Sequence, residues 1–306
     1  GGLLTLLLVV CYFFIDFMGQ DPRVAELSKL YYLTLVFSLL PFVLFCVCKQ
    51  FLEGLGNTKV AMMITIVANM LNVILNYLLI FGKFGFPRLG AFGAGVATLI
   101  ARMLMPILFF IILLRHKEWS LYVKHFSFKI LSQSGFVSVA KVGLPIGGHL
   151  LLECSAWALL AIIVGWLGAV PLAANQIANN VTNMSFMIIV GVASATTIRV
   201  SHQLGLNNFY ALRMAVKASI HLCLFINALM AALMIGLRQQ IPWIFTNDAE
   251  VVDITAQLLV FAGLFQLSDG LQSVGAGVLR GLTDVKRPVY YAFLTYICVN
   301  IPLGYV

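Results

Sequence analysis

Long apolar segments recur along the whole chain, separated by short stretches that carry most of the charged residues. A segment of about 18 or more mostly apolar residues is long enough for a helix to cross a hydrocarbon core of about 30 Å. The alternating segments of about ten residues that are typical of transmembrane strands do not occur. The pattern therefore predicts nine membrane-spanning α-helices, at residues 3–18, 30–48, 60–81, 91–114, 142–166, 170–198, 214–236, 254–279 and 289–306.

The composition also indicates a membrane protein. The 306 residues are 61% hydrophobic and 10% charged, with a mean hydropathy of +1.01, whereas a soluble domain is about 25% charged. The net charge of +8 does not indicate nucleic-acid binding, because the basic residues lie at helix ends and form no single patch. Thirteen of the 19 Lys and Arg residues, including Lys217 just after the third loop, fall in or beside one alternate set of loops. The positive-inside rule places that set, 49–59, 115–141, 199–213 and 280–288, in the cytoplasm.

Two regions of the chain resemble each other at an offset of 227 residues. The segment 51–59 (FLEGLGNTK) aligns with 278–286 (VLRGLTDVK), and Asp21 aligns with Asp248. Internal repeats in transporters usually form two bundles with a substrate site between them. Because an even number of predicted spans separates the two copies, the repeat is parallel.

The repeat predicts an all-α integral membrane protein made of two parallel-repeat helical bundles, with six helices each in the full protein. We expect first-lobe helices at 1–115, a cytoplasmic connection between the lobes at 116–140, and second-lobe helices at 141–306. On this plan, the sequence lacks two helices of the first lobe and the last helix of the second lobe. These three helices are expected to lie outside this sequence.

Two carboxylates lie in the middle of predicted spans. No other Asp, Glu, Lys or Arg occurs within ten residues of either Glu153 or Asp269. A charge at the bilayer centre costs about 2.5–3.5 kcal/mol on insertion scales, so such residues normally face a protein interior or a wet cavity. They predict an ion or substrate path. The alternative is that each is neutral and hydrogen-bonded locally, without a functional role.

Neutral polar residues recur at helical spacing in several spans. Asn72 and Asn76 are four residues apart and share one helix face, and Gln266 and Gln272 form another stripe with Asp269. In lipid, such amides either bind a ligand or join neighbouring helices by hydrogen bonds. Further candidates are the amides Asn175, Asn179 and Asn180 as supporting polar groups, and Met184, Met187 and Phe265 as an adaptable cavity surface.

His149 lies four residues before Glu153 and therefore on the same helix face. The two side chains could share a proton, or His149 could pack beside a kink introduced by Pro145. Two carboxylates with neutral oxygen donors can hold a hard cation such as Na⁺, by analogy with Ca²⁺ and Mg²⁺ sites, or accept protons. The residues leave these alternatives open.

Motifs along nearly the whole chain resemble, in the right order, those of the MATE (multidrug and toxic compound extrusion) transporters. Residues 143–147 (GLPIG) followed by Glu153 are similar to the start of that family's second half, and 199–205 (RVSHQLG) to the turn after its eighth helix. Asp269 with 279–281 (LRG) is similar to the tenth helix. Matches to the bacterial NorM-like branch are Asn72-x-x-x-Asn76-Tyr77, 81–87 (FGKFGFP) and 89–94 (LGAFGA).

The resemblance implies helices three to eleven of twelve in a Na⁺- or H⁺-coupled antiporter that exports organic cations and drugs by alternating access. It implies that Glu153 and Asp269 bind the coupling ion, so these residues form a metal site only if that ion is Na⁺. No other cofactor, no nucleic acid and no enzymatic activity are expected. The protein is expected to be a monomer, with cationic small-molecule substrates, in the bacterial inner (plasma) membrane.

Two other functions fit parts of the sequence. A lipid-linked precursor flippase of the same superfamily would need cationic side chains for a pyrophosphate, whereas Arg102 is the only Lys or Arg in the middle of a predicted span. An intramembrane aspartyl protease would need two aspartates that share one proton, and a membrane lipid enzyme would need clustered His, Asp and Arg. The chain offers Glu153 and Asp269 instead, which favours the transport of cations.

Overall fold

The structure, a computed structural model, describes residues 2–12, 22–116, 119–120 and 133–300. These residues form nine α-helices and contain no strand, which confirms the predicted all-α class. The helices are α1 (Gly2–Tyr12), α2 (Pro22–Gly54), α3 (Lys59–Phe81), α4 (Gly90–Arg115), α5 (Gln133–Trp166), α6 (Ala169–Gly205), α7 (Phe209–Gly236), α8 (Ala249–Gly281) and α9 (Lys286–Ala292). A π-helix, Phe293–Asn300, continues α9.

Seven of the described helices, α2 to α8, are long and apolar enough to cross a membrane. Each contains one predicted span, but α5 begins nine residues before its span and α6 ends seven residues after its own. Hydropathy identifies the part of a helix that is apolar enough for the hydrocarbon core. The helix itself can be longer, because its backbone hydrogen bonds continue into the polar interface. Of the first and last predicted spans, residues 13–18 and 301–306 lie outside the described residues, as does Asp21.

The predicted internal repeat extends to the helix boundaries. Shifted by 227 residues, α2 coincides with α8 at both ends. The start of α3 likewise coincides with the start of α9. The turn is repeated as well. The backbone N–H of Asn57 donates to the Leu52 carbonyl, and the backbone N–H of Asp284 donates to the Leu279 carbonyl, each at 2.9 Å. The residue before each donor has a positive φ, 82° and 62° respectively. The repeat is therefore present in the fold.

The chain divides into two compact units, Gly1–Ile130 and Leu131–Val306. Much of the expected connection at 116–140, namely 117–118 and 121–132, lies outside the described residues. In the first unit α4 packs against both α2 and α3. The core of this unit consists of Phe45, Leu52, Ile64, Ala68, Met105, Phe109 and Leu113.

Arg102, the basic residue within a predicted span, is partly buried in the first unit. Its guanidinium donates to the Ser38 hydroxyl at 2.8 Å and lies 4.7 Å from the centre of the Phe42 ring. Ser38 is fully buried, and its hydroxyl donates in turn to the Leu35 carbonyl at 2.7 Å. A polar partner and an aromatic ring thus reduce the cost of placing this charge in the membrane.

In the second unit α8 packs against α6 and α7, while α5 and α9 pack beside them. The backbones of α6 and α8 approach closely, since a Cβ atom at Gly277 would lie 2.7 Å from the carbonyl oxygen of Ala193. The Thr197 hydroxyl of α6 donates to the Gly277 carbonyl at 2.8 Å. Small residues at such an interface allow the close approach that holds membrane helices together.

The turn after α3 depends on Gly82. This residue ends the helix in the left-handed region, with a φ of 66°, and a Cβ atom there would lie 2.9 Å from the Arg88 backbone nitrogen. We expect Gly82→Ala to destabilise the protein by about 1–2 kcal/mol, measured by thermal unfolding in detergent. Gly54→Ala, at a position with nothing within 4 Å of an added Cβ, is the control. Equal unfolding midpoints for the two variants would contradict this account.

Candidate functional site

A cavity of about 650 Å³ lies in the second unit between α5, α6 and α8. This volume is typical of pockets that bind drug-sized molecules. The lining residues follow helical spacing, so each helix contributes one face. They are His149, Leu150, Glu153, Cys154, Trp157, Ala158 and Ala161 of α5; Gln176, Asn179, Asn180, Thr182, Asn183, Phe186, Met187, Val190, Ala193, Ser194 and Thr197 of α6; and Phe265, Asp269, Gln272, Ser273, Ala276 and Arg280 of α8.

The charged side chains of the cavity lie on α5 and α8. Glu153 and Asp269 are both partly buried, and the charges of Asp269 and Arg280 both act on Glu153. Two carboxylates and one guanidinium leave a net negative charge when both acids are ionised. In that ionised state the cavity attracts cations.

His149 lies beside Glu153 without a direct hydrogen bond to it. Its Nδ1 atom is 4.0 Å from a carboxylate oxygen of Glu153, which is longer than a hydrogen bond. The side chain of His149 is buried, and that nitrogen has no hydrogen-bond partner among the described residues. The helix continues through Pro145, one turn earlier. The structure thus places the two predicted partners on one face, close together but not bonded.

The cavity-lining residues of α6, from Gln176 to Thr197, are all uncharged. We call this face the neutral wall. Its first two turns present amides, and the following turns present Phe186, Met187 and Val190. Amide oxygens are suitable ligands for a hard cation, and thioether and aromatic groups adapt to apolar ligands of varied shape. The neutral wall therefore offers contacts to an organic cation without competing for its charge.

The structure brings eight of the predicted site residues into this cavity: Glu153, Asp269, His149, Asn179, Asn180, Gln272, Phe265 and Met187. Three further candidates in the second unit do not line it. Asn175 is partly buried elsewhere on α6, and Met184 is 73% exposed. Gln266 is 1% exposed and donates to the Ser185 hydroxyl of α6. Its amide therefore joins two helices and does not face the cavity.

Asn72 and Asn76 lie on α3 in the first unit. The Asn76 amide donates to the Asn72 side-chain oxygen at 2.9 Å, and the Asn72 amide donates to the Thr98 hydroxyl of α4 at 3.5 Å. Both asparagines are partly buried. In the described part of the first unit, the pair therefore makes a polar contact between neighbouring helices.

Trp157 and Arg280 line the cavity but were not among the predicted site residues. Trp157 follows Glu153 by one turn, and Arg280 follows Asp269 by three turns. Helical periodicity could have identified both, because each shares a face with a carboxylate. The position of Arg280 at the end of a helix instead favoured a role at the membrane surface.

The arrangement can hold a positively charged occupant. Glu153 and Asp269 can bind a small cation or take up protons, with the Gln272 side chain beside them. The rings of Trp157 and Phe265 can face an organic cation. Within the described residues, no group of three or more His, Cys, Asp or Glu side chains could hold a metal ion.

The chain is similar to proteins of one family along most of its length. The family model described as MatE matches residues 1–78 and 145–306. The multidrug resistance protein NorM of Photobacterium profundum is 31% identical over 295 residues, which cover 95% of this chain and 64% of that protein. The probable multidrug resistance protein NorM of Bacillus subtilis is 31% identical over 302 residues, covering 97% of this chain and 67% of that protein.

The fold agrees with these matches. A mutant of the Vibrio cholerae MATE transporter VcmN superposes with a TM-score of 0.87 at 18% identity, over 97% of this chain and 67% of that chain. The chain spans just under two thirds, 64%, of the length of the Photobacterium relative. The resemblance drawn from the sequence motifs is confirmed: the chain belongs to the MatE family and is a multi-pass protein of the inner membrane.

Proposed function

We propose that the chain is part of an antiporter that exports organic cations and drugs by alternating access, driven by Na⁺ or H⁺. The observation that carries the proposal is that Glu153 and Asp269, the isolated carboxylates of two apolar helices, line one cavity. The family membership and the names of the relatives, multidrug resistance proteins, support it.

Competition for the two carboxylates is the proposed basis of exchange. A proton or Na⁺ bound at Glu153 and Asp269 neutralises the cavity and weakens its attraction for a cationic substrate. A bound substrate weakens the binding of the ion by the same factor, because coupling between two ligands is reciprocal. The two occupants therefore replace each other, which is the requirement for antiport.

The residues fit either coupling ion. For Na⁺, the carboxylates and neighbouring amide oxygens such as those of Gln272 and Asn179 would be the ligands, since hard cations prefer oxygen. For H⁺, Glu153 and Asp269 would hold the protons themselves.

The proposed function requires no further cofactor, no nucleic-acid partner and no covalent step. We propose that the protein acts as a monomer.

Efflux from liposomes tests the proposal. The intact protein is reconstituted into liposomes loaded with a fluorescent lipophilic cation, and a Na⁺ gradient or an H⁺ gradient is imposed separately. We expect one gradient to drive efflux, because the ion entering the cavity displaces the dye. Liposomes without protein, and proteoliposomes whose gradient is dissipated by an ionophore, are the controls. Folded protein that exports the dye under neither gradient would contradict the proposal and would favour the flippase.

A further inference from the structure

Tyr296 lies next to the cavity but is not among the residues that line it. Its side chain is 6% exposed and belongs to the π-helix that continues α9. π-helical segments are rare and occur frequently at functional sites. This combination makes the contacts of Tyr296 informative.

Tyr296 contacts both helices that carry a cavity carboxylate. Its side chain shares a buried hydrophobic cluster with Ala292 of α9 and with Ala156 of α5, which lies three residues after Glu153. Its hydroxyl oxygen accepts a hydrogen bond of 3.2 Å from Nε2 of Gln272 on α8, three residues after Asp269. Residues three apart are neighbours on one helix face. One side chain therefore bonds to α8 beside Asp269 and shares a buried cluster with α5 beside Glu153.

The Tyr296 hydroxyl also lies in the electric field of the site, since the charges of Glu153 and Asp269 both act on it. A phenol can accept and donate hydrogen bonds at once. Here its oxygen accepts from Gln272, and Gln272 itself lines the cavity. A change at this hydroxyl therefore acts on a group that faces the cavity.

We propose that Tyr296 is a positioning residue of the coupling-ion site. Through its hydrogen bond to Gln272 and its packing against α5, it holds the faces that carry Glu153 and Asp269 at the separation that the ion requires. The inference rests on the proposed function, because it assumes that the coupling ion binds at these two carboxylates. It assigns to Tyr296 no direct contact with the ion.

The first test is Tyr296→Phe in the intact protein, which removes the hydroxyl and keeps the ring. We expect the ion concentration that gives half-maximal efflux to rise about 3- to 10-fold, as for the loss of one hydrogen bond. If the ion is H⁺, the same 3- to 10-fold change is seen as a displacement of the pH profile of efflux. The titratable groups facing the cavity are His149, Glu153 and Cys154 of α5 and Asp269 and Arg280 of α8. The expression level and the thermal unfolding midpoint should change little.

Ion binding can also be measured without transport. Trp157 lines the cavity one turn from Glu153, so its fluorescence reports on the site once the other tryptophans are replaced by phenylalanine. We expect titration with the driving ion, Na⁺ or H⁺, to show the same 3- to 10-fold shift in Tyr296→Phe. A role in packing alone would leave this titration unchanged, because the phenylalanine ring preserves the packing of the cluster with Ala156 and Ala292.

Two further variants complete the test. Tyr291→Phe, on α9 just before the π-helix and with a side chain that is 61% exposed, is the matched control and should cause no shift. Gln272→Leu removes the other partner of the bond, and the double variant with Tyr296→Phe should shift no further than the larger single change. An unshifted titration of Tyr296→Phe, with an ion-dependent wild type, overturns the inference and leaves the antiporter intact. A wild type that responds to neither Na⁺ nor H⁺ overturns both.

Discussion

Glu153→Gln and Asp269→Asn are each expected to reduce ion-driven efflux by about 10- to 100-fold. Each substitution keeps the shape of the side chain and removes a charge that, under the proposed function, holds the coupling ion. Loss of a charged partner costs about 1.5–3 kcal/mol, which corresponds to about 10- to 150-fold in ion affinity. Because Glu153 and Asp269 line one cavity, the loss of either carboxylate weakens the same proposed ion site. The measurement is the initial rate of dye efflux under the gradient that drives the wild type.

Matched controls exist on the same chain. Asp253 lies on α8 as Asp269 does, but its side chain is exposed and accepts a hydrogen bond from Gln257. Glu53, near the end of α2, pairs with Lys49 at 3.7 Å. Asp253→Asn and Glu53→Gln should therefore retain efflux close to that of the wild type. Wild-type rates in folded Glu153→Gln or Asp269→Asn would show that the cavity carboxylates do not carry the coupling.

Gly277→Leu is expected to have the largest effect on stability. The added side chain would start 2.7 Å from the Ala193 carbonyl oxygen, so α6 and α8 must separate to accept it. Separation also stretches the hydrogen bond from Thr197 to the Gly277 carbonyl. Overpacking of this kind costs about 1–3 kcal/mol, and the lost bond adds about 0.5–1.5 kcal/mol. We expect low expression and a lower thermal unfolding midpoint in detergent.

Gly275→Leu is the control for this stability prediction. Gly275 lies two residues earlier on the same helix, is exposed, and has nothing within 4 Å of an added Cβ atom. The two variants add the same side chain to the same helix and differ in what that side chain meets. Similar unfolding midpoints for both would contradict the close contact of α6 and α8.

The sequence predicts the helices of this fold well because their signal is local. A run of apolar residues long enough to cross the membrane is visible without knowledge of its neighbours, and each of α2 to α8 contains one predicted span. The helix ends are less predictable, as the early start of α5 shows, because polar residues outside the hydrocarbon can continue a helix. The repeat is also visible in the sequence, since the turn that ends α2 and the turn that ends α8 use related residues.

The site is predictable only in part, because periodicity assigns residues to a face but does not say which helix covers that face. Gln266 and Asp269 are three residues apart, so periodicity predicts that they share one stripe. In the structure α6 covers Gln266, which bonds to Ser185, whereas Asp269 faces the cavity. Met184 and Met187 differ in the same way: Met184 is 73% exposed and Met187 lines the cavity. Such distinctions require the packing of whole helices.

The neutral wall has a consequence for how such a protein can diversify. The ionisable groups of the cavity lie on α5 and α8, whereas α6 contributes amide, aromatic, thioether and hydroxyl surface without charge. Under the proposed function, the carboxylates of α5 and α8 set the source of energy, whereas the turns of α6 beyond its amides contact the cargo. Substitutions in those turns, at Phe186, Met187 and Val190, can reshape the range of compounds carried while the driving force is preserved. New drug specificities are therefore accessible to selection without a loss of transport along the way.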